Sequence, residues 1–473
     1  MQLKDHRGLE VSTRNARSLD RYEKALELTA SYFVDPLAEI NAAIADDPAC
    51  AIAHCLRAGL AVMSSERGAL PLIEESAAVI EAPATRANER ERRHAAAARA
   101  WARGDLVRAV QAYGDIVVDF PRDQLAVQIA HVCDFFLGQS TMLRDRLAQA
   151  LPHWDASVPG YGYLLGMHSF GLEETALYER AEDTGRRALE INRRDPWAVH
   201  AVAHVMEMQG RLRDGIEWLT SRQDDWSIDN GLAYHNWWHL ALHHLDFAEY
   251  DRVLELYDTR IRPAQNPVAL EMVDASAMLW RLALRGADVG QRWQPLADTW
   301  APIASDEGFY AFNDVHATMA FVGSEQWSRV DAALANLERA AQGSGTNAMM
   351  AREVGLPLAR GIAAFGRGRY AEAVEHIAPV RPHAQRFGGS HAQRDIVHLT
   401  LLEAAMRAGN GSLARALASE RTDVKRTSPF NWRMLGRALE LQGHADEARH
   451  AREQAEVRAA AQHPKRDAPR VAA

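Results

Sequence analysis

Cysteine is scarce in this chain. Cys50, Cys55 and Cys133 are the whole supply, and they form no CxxC or zinc-finger spacing. That excludes a disulfide framework and suits a reducing, cytoplasmic setting. Long apolar runs are missing as well: no stretch approaches the roughly 20 residues of a membrane helix, so no membrane partner is expected. The segment Met1 to Asp20 is polar with charges of both signs, unlike a signal peptide. No long basic run occurs and the formal net charge is −9, which argues against a nucleic-acid partner. Alternating Val/Ile/Thr runs of the strand type are nearly absent. There is no phosphate-binding glycine loop, no GxSxG elbow and no dinucleotide fingerprint.

What remains is helix-forming. Hydrophobic residues make up 47% of the 473 and charged residues 25%, so a core can be built and disorder is not the default. Ala, Leu, Arg and Glu dominate, and turn residues recur roughly every 12 to 20 positions. In Leu358 to Val380 a small-residue helix ends near Gly368, and Tyr370 and Ala373 open a second, in the G-x-Y-x-x-A manner of tetratricopeptide repeats. Trp101 to Pro121 repeats the scheme with Gly104 at the break, and Leu435 to Ala448 with Gly443. The expected fold is therefore all-α, a tetratricopeptide-type solenoid superhelix of about 11 to 12 helix pairs. It should run as one continuous unit over 1–458, with a frayed tail at 459–473. First helices are expected at 18–29, 50–63, 88–103, 123–138, 160–171, 197–209, 230–246, 268–285, 309–322, 348–367, 389–408 and 429–442. In such stacks the first helices form the inner wall. The longer connections at 152–162, 221–229, 286–308 and 381–390 either close over the interior or are plain loops.

Histidine is the abundant residue that needs an account, with 20 in the chain. His54, His94, His131, His200, His204, His235, His239 and His316 all fall on expected inner helices. Two clusters are sharper than the rest. His200, His204 and Glu207 share one helix face by spacings of four and three, and His235 and His239 share another, with Asn236 and Trp238 between them. The two helices are consecutive in the inner wall, about 10 Å apart. Four imidazoles and a carboxylate on adjoining faces could hold a divalent transition metal such as zinc, manganese or iron. They equally suit a metal-free polar pocket or a structural hydrogen-bond network. The spacing is not HExxH.

Asp274, Asp314 and His316, and farther on Arg352, Arg394 and Asp395, lie on later inner helices. If the superhelix is tight they face the same interior. A carboxylate orients an imidazole and raises its basicity, and an arginine suits a substrate carboxylate or phosphate. Interior ion pairing between Arg and Asp is the plainer reading. Trp226, Trp237, Trp238, Trp280, Trp293 and Tyr310 crowd the same region, chiefly as packing residues, with one or two available for a pocket wall.

The stretches AHCLRAGL (53–60), HSFGLEET (168–175), WAVHAVAHVMEM (197–208), HNWWHLAL (235–242), VDASAML (273–279), VGQRWQ (289–294), FNDVH (312–316), AREVGLPL (351–358) and GGSHAQRD (388–395) occur in order over nearly the whole chain. Together they resemble the tetratricopeptide repeat protein 38 family. The resemblance implies an all-α repeat fold and a soluble protein, and it carries no assigned reaction. Its motif positions include His54, His94, His131, His200, His204, Glu207, His235, Asn236, Trp238, His239, Asp274, Asp314, His316, Arg352, Arg394 and Asp395. The sequence departs from the pattern at His168 and His391.

Two functions follow as expectations. The first is an interior site for a small polar, anionic molecule, with hydrolase chemistry. His200, His204, His235 and His239 would be metal ligands or acid/base groups. Glu207, Asp274, Asp314 and His316 would be catalytic. Arg352, Arg394, Asn236, Trp238 and His131 would bind substrate. The alternative is an interaction scaffold that takes a peptide or protein partner in its concave groove. A homodimer is left open.

Overall fold

The computed structural model describes residues 3–304 and 308–462. Helix follows helix throughout. Among the described residues, strand-type pairing is confined to two isolated bridges, Lys4 with Glu10 and Phe33 with Asn230. Twelve helix pairs can be traced. Their first helices are Ala16–Ser31, Ala51–Met63, Glu89–Ala102, Gln124–Phe136, Tyr161–Glu173, Pro196–Met208, Ala233–Asp246, Ala269–Leu284, Ala311–Gly323, a composite tenth, His391–Arg407 and Pro429–Leu441. The tenth runs through Thr346–Met350, a π segment Ala351–Gly355 and Leu356–Gly366. These bounds match the sequence-based ones to within three residues. The last helix, Ala445–Gln462, continues through the start of the expected tail. Gln462 accepts a hydrogen bond from the Leu212 amide at 2.8 Å, so 459–462 are anchored rather than frayed. Residues 463–473 lie outside the described residues.

Local chemistry explains the punctuation. Gly104 takes φ +81° between the two helices of the third pair, a conformation that costs glycine little. Asp105 then caps the next helix by accepting from the Arg108 amide. Asp195 caps Pro196–Met208 by accepting from Trp197 and Ala198, with Pro196 at the first helical position.

First and second helices differ in how they are buried. In Pro196–Met208 every residue from Pro196 to Met206 is buried, whereas Trp327–Ala341 buries only Val330, Ala333, Asn336 and Leu337. An all-round buried helix must be covered on every side. The cover comes from the other half of the chain, because each pair meets a partner about six pairs on. Asn230 donates to Ser31 O (3.0 Å), and the Ala269 amide donates to Glu66 (3.0 Å). The Thr346 amide donates to Gly104 O (3.0 Å), and the Tyr310 hydroxyl to Phe136 O (2.9 Å). The His391 amide donates to Glu174 (2.7 Å), and the Thr427 hydroxyl to Gln209 O (2.9 Å). Pairs one to six thus form one turn and pairs seven to twelve the next, seated on it. The inner helices become a shared core rather than the floor of a long open groove.

Candidate functional site

The sixth and seventh inner helices lie side by side in this core. Between His200 and His204 stand Ala201, Val202 and Ala203, whose modest side chains let the neighbouring helix come close. All four histidines are buried, and one ligand atom from each lies within 4.8 Å of the others. Ring centroids are 4.4 Å apart for His200 and His204, 4.3 Å for His204 and His239, and 4.8 Å for His235 and His239.

The orientation of the rings carries more than their proximity. His235 donates from Nδ1 to Asp274 Oδ2 at 2.6 Å, and its Nε2 lies 3.0 Å from His200 Nε2. Nδ1 of His239 meets Glu207 Oε2 at 3.1 Å, and its Nε2 has no hydrogen-bond partner. Nδ1 of His204 stands 3.4 Å from Glu173 Oε2, and its Nε2 is likewise without a partner. His235 and His239 are therefore each held at Nδ1 by a carboxylate, which fixes the ring, while His204 faces Glu173 without a hydrogen bond. Nδ1 of His200 is buried and unpartnered. Trp238 stacks on His235 at 5.5 Å and 9°, and Phe170 packs against both His200 and His204.

Burial, reinforced by the neighbouring imidazoles, holds His200 and His239 well below the ordinary histidine range, so both are neutral imidazoles at neutral pH. His204 behaves differently. Burial pulls it down, yet Glu173 and Glu207 outweigh burial and raise it. Burial raises Glu173 in turn, so a proton is held between the two. Lys425, 3.5 Å from Glu207, supplies a balancing charge on that side.

His200 and His235 also line a cavity of about 440 Å³. Tyr32, Phe135, Phe136, Trp197 and Tyr234 are among its walls, with Asp274 and Gln393 also lining it. Tyr32 lies flat on Trp197, 5.6 Å and 9° apart. Its carbonyl accepts from the Gly231 amide at 2.7 Å, which joins the first-pair turn to the connection before Ala233–Asp246. That connection therefore does close over the interior. Ser390 and Gln393 cap His391–Arg407 reciprocally on the opposite wall.

The remaining expected site residues divide. Asp274 and Glu207 are at the cluster, bonded to His235 and His239. Asn236 and Trp238 are buried beside it, Asn236 donating to Pro196 O at 3.3 Å and Trp238 acting as the stacking plate. His131 packs edge-on to Trp197 and Phe170 with both nitrogens unpartnered, and burial pulls it down to about 3. His316 bonds the carbonyl of Phe312 at 2.7 Å and keeps an unpartnered Nε2, without joining the cluster. Asp314 is not brought there either. Its Oδ2 lies against Gly308, because two residues along a helix point to nearly opposite sides. Arg352 is exposed and donates to Ala341 O. Arg394 pairs with Glu174 at 3.3 Å. Arg394, Arg421 and Lys425 border a separate cavity of about 260 Å³, each with a carboxylate partner. His54 and His94, also on the inner wall, bond Pro48 O and Asp123 and are structural. Sequence reasoning missed Glu173. It stands in the HSFGLEET stretch, but nothing local says which of its two adjacent glutamates turns inward.

No family model matches the chain. Among solved structures it is similar to the human IFIT1 dimer with PPP-AAAA, at 13% identity over 97% of this chain and 98% of that one, with a TM-score of 0.40. It is also similar to the APC/C hetero-tetramer Cut9-Hcn1, at 10% identity over 94% and 96% with a TM-score of 0.34. The yeast Tom70 structure is similar at 11% identity over 95% and 96% with a TM-score of 0.31.

Proposed function

We propose that this chain is a metal-dependent enzyme of hydrolase type, acting on a small molecule held in the 440 Å³ cavity. The observation that carries the reading is the packing of His200, His204, His235 and His239 with one ligand atom of each within 4.8 Å of the others, His235 and His239 being bonded at Nδ1 to Asp274 and Glu207. A catalytic zinc-type site commonly uses three protein ligands and keeps one position for chemistry. His200, whose Nδ1 has no partner and whose Nε2 meets His235, lines the cavity and is the group that completes the set or moves a proton at the reacting end. Bound there, a zinc, manganese or iron ion supplies Lewis acidity. Glu207 and Asp274 orient His239 and His235. Trp238 holds the His235 ring plane.

The order of motifs that resembles the tetratricopeptide repeat protein 38 family fits this reading, since the matching positions include all four histidines with Glu207 and Asp274. The anionic substrate expected from Arg352 and Arg394 is not retained, because neither residue lines the cavity. The free, buried thiols of Cys50, Cys55 and Cys133 suit a cytoplasmic location.

Elemental analysis of the purified chain tests the proposal. One zinc, manganese or iron per chain is expected in the parent, with loss of that metal in His204→Ala and His239→Ala. A metal-free parent that shows no thermal shift on adding any of the three ions overturns it.

A further inference from the structure

Taking the cavity as the substrate site, its walls contain something the reaction class does not explain. Among the described residues no lysine or arginine lines it, and its charged residues are Glu271 and Asp274, with His200 and His235 also in its lining. Asp274 is already committed to His235 and to Gln393. Glu271 is not. It accepts from the Asn266 side-chain amide at 3.2 Å and has no salt-bridge partner among the described residues. Arg262 is the nearby cation, but its guanidinium donates to Asn266 O and Gln265 rather than to Glu271.

Tyr32, Tyr234, Phe135, Phe136 and Trp197 line the same cavity as Glu271, with the Tyr234 ring centroid 6.2 Å from that of His235. Tyr32 faces the same space. It adopts φ 57° at the end of the first helix, a left-handed conformation that a tyrosine rarely takes, and it is held there by its stack on Trp197 and its bond to Gly231. A neutral apolar ligand would leave a half-buried carboxylate uncompensated. An anion would be repelled by it. A cation is attracted both by the carboxylate and by the faces of the rings.

We propose that the cavity selects an organic cation, an ammonium group on a small apolar body, with its charge between Glu271 and the rings of Tyr32 and Tyr234 and its other end towards His200 and His235. The selectivity rests on Glu271, which bonds none of the four histidines, so it is separable from the metal reading.

Calorimetric titration of the purified full chain with three probes of similar size tests this: benzyltrimethylammonium, benzyl alcohol and phenylacetate. The ammonium probe is expected to bind about tenfold or more tighter than the alcohol, and phenylacetate not measurably. Glu271→Gln should remove most of that preference while metal content stays at the parent value. Absence of ammonium binding at millimolar concentration, or equal or tighter binding of phenylacetate, overturns the proposal. A parent that holds and binds no metal yet keeps the ammonium selectivity would instead sink only the metal reading.

Discussion

His235 and Asp274 come from different helix pairs, and their 2.6 Å contact is what turns an imidazole on one helix into a directed ligand. Because Nδ1 is held by the carboxylate, Nε2 is the atom left to face His200. Asp274→Asn should keep the shape of the side chain and lose its charge. Metal affinity, read by competition with a chelator, is expected to fall about 10- to 100-fold, with little change in the thermal midpoint. An unchanged affinity would mean that Asp274 does not orient His235.

A second prediction concerns the seam between the two turns. Tyr310 donates across it to Phe136 O at 2.9 Å. Tyr310→Phe should cost about 0.5 to 1.5 kcal/mol in denaturant unfolding. Gly138 lies on the same seam with φ +63°, and a Cβ there would stand 1.9 Å from Gln385 O, a backbone atom that cannot swing aside. Gly138→Ala is expected to cost more than about 2 kcal/mol. Equal small effects from both would show that the turns are not closely seated.

Asp314 gives a pH signature away from the cluster. Burial pushes its carboxyl up to about 7, so the folded state holds this proton more tightly than the unfolded chain does. Its contribution to stability is complete below about pH 4 and is lost as the pH rises through about 7. Asp314→Asn should therefore gain on the parent between pH 5 and pH 8, measured as urea midpoints at the two values. A parent-minus-variant difference that does not change with pH would contradict the assignment.

Arg352 provides the negative control. It is exposed and bonds only a backbone carbonyl. Arg352→Ala should change unfolding free energy by no more than about 0.5 kcal/mol and leave metal content and probe binding as in the parent. Any loss of ammonium binding in this variant would return Arg352 to the site.

Much of this was legible in the chain itself. Glycine and proline punctuation located all twelve inner helices, since a repeat must stop and restart at each pair. Spacing by four put His200 with His204 and His235 with His239 on common faces. Facing was less readable where a helix departs from regularity. Arg352 lies in the π segment Ala351–Gly355, whose extra residue per turn shifts which side chains point inward. Asp314 and His316 are two apart and so diverge, although the motif holding them reads as one unit. Glu173 contributes through a helix contact from another pair, which no local pattern announces.

Periodicity and composition by themselves determined that the chain is a stack of helix pairs and that its histidines gather on the inner members. These are properties of a few residues at a time. Whether that inner wall is an open groove or a closed core depends on the small rotation between successive pairs, summed over about six of them. That sum is set by long-range contacts such as Ala269 to Glu66 and His391 to Glu174. Only the tertiary structure decided it, and with it which acids back the imidazoles and which rings wall the cavity.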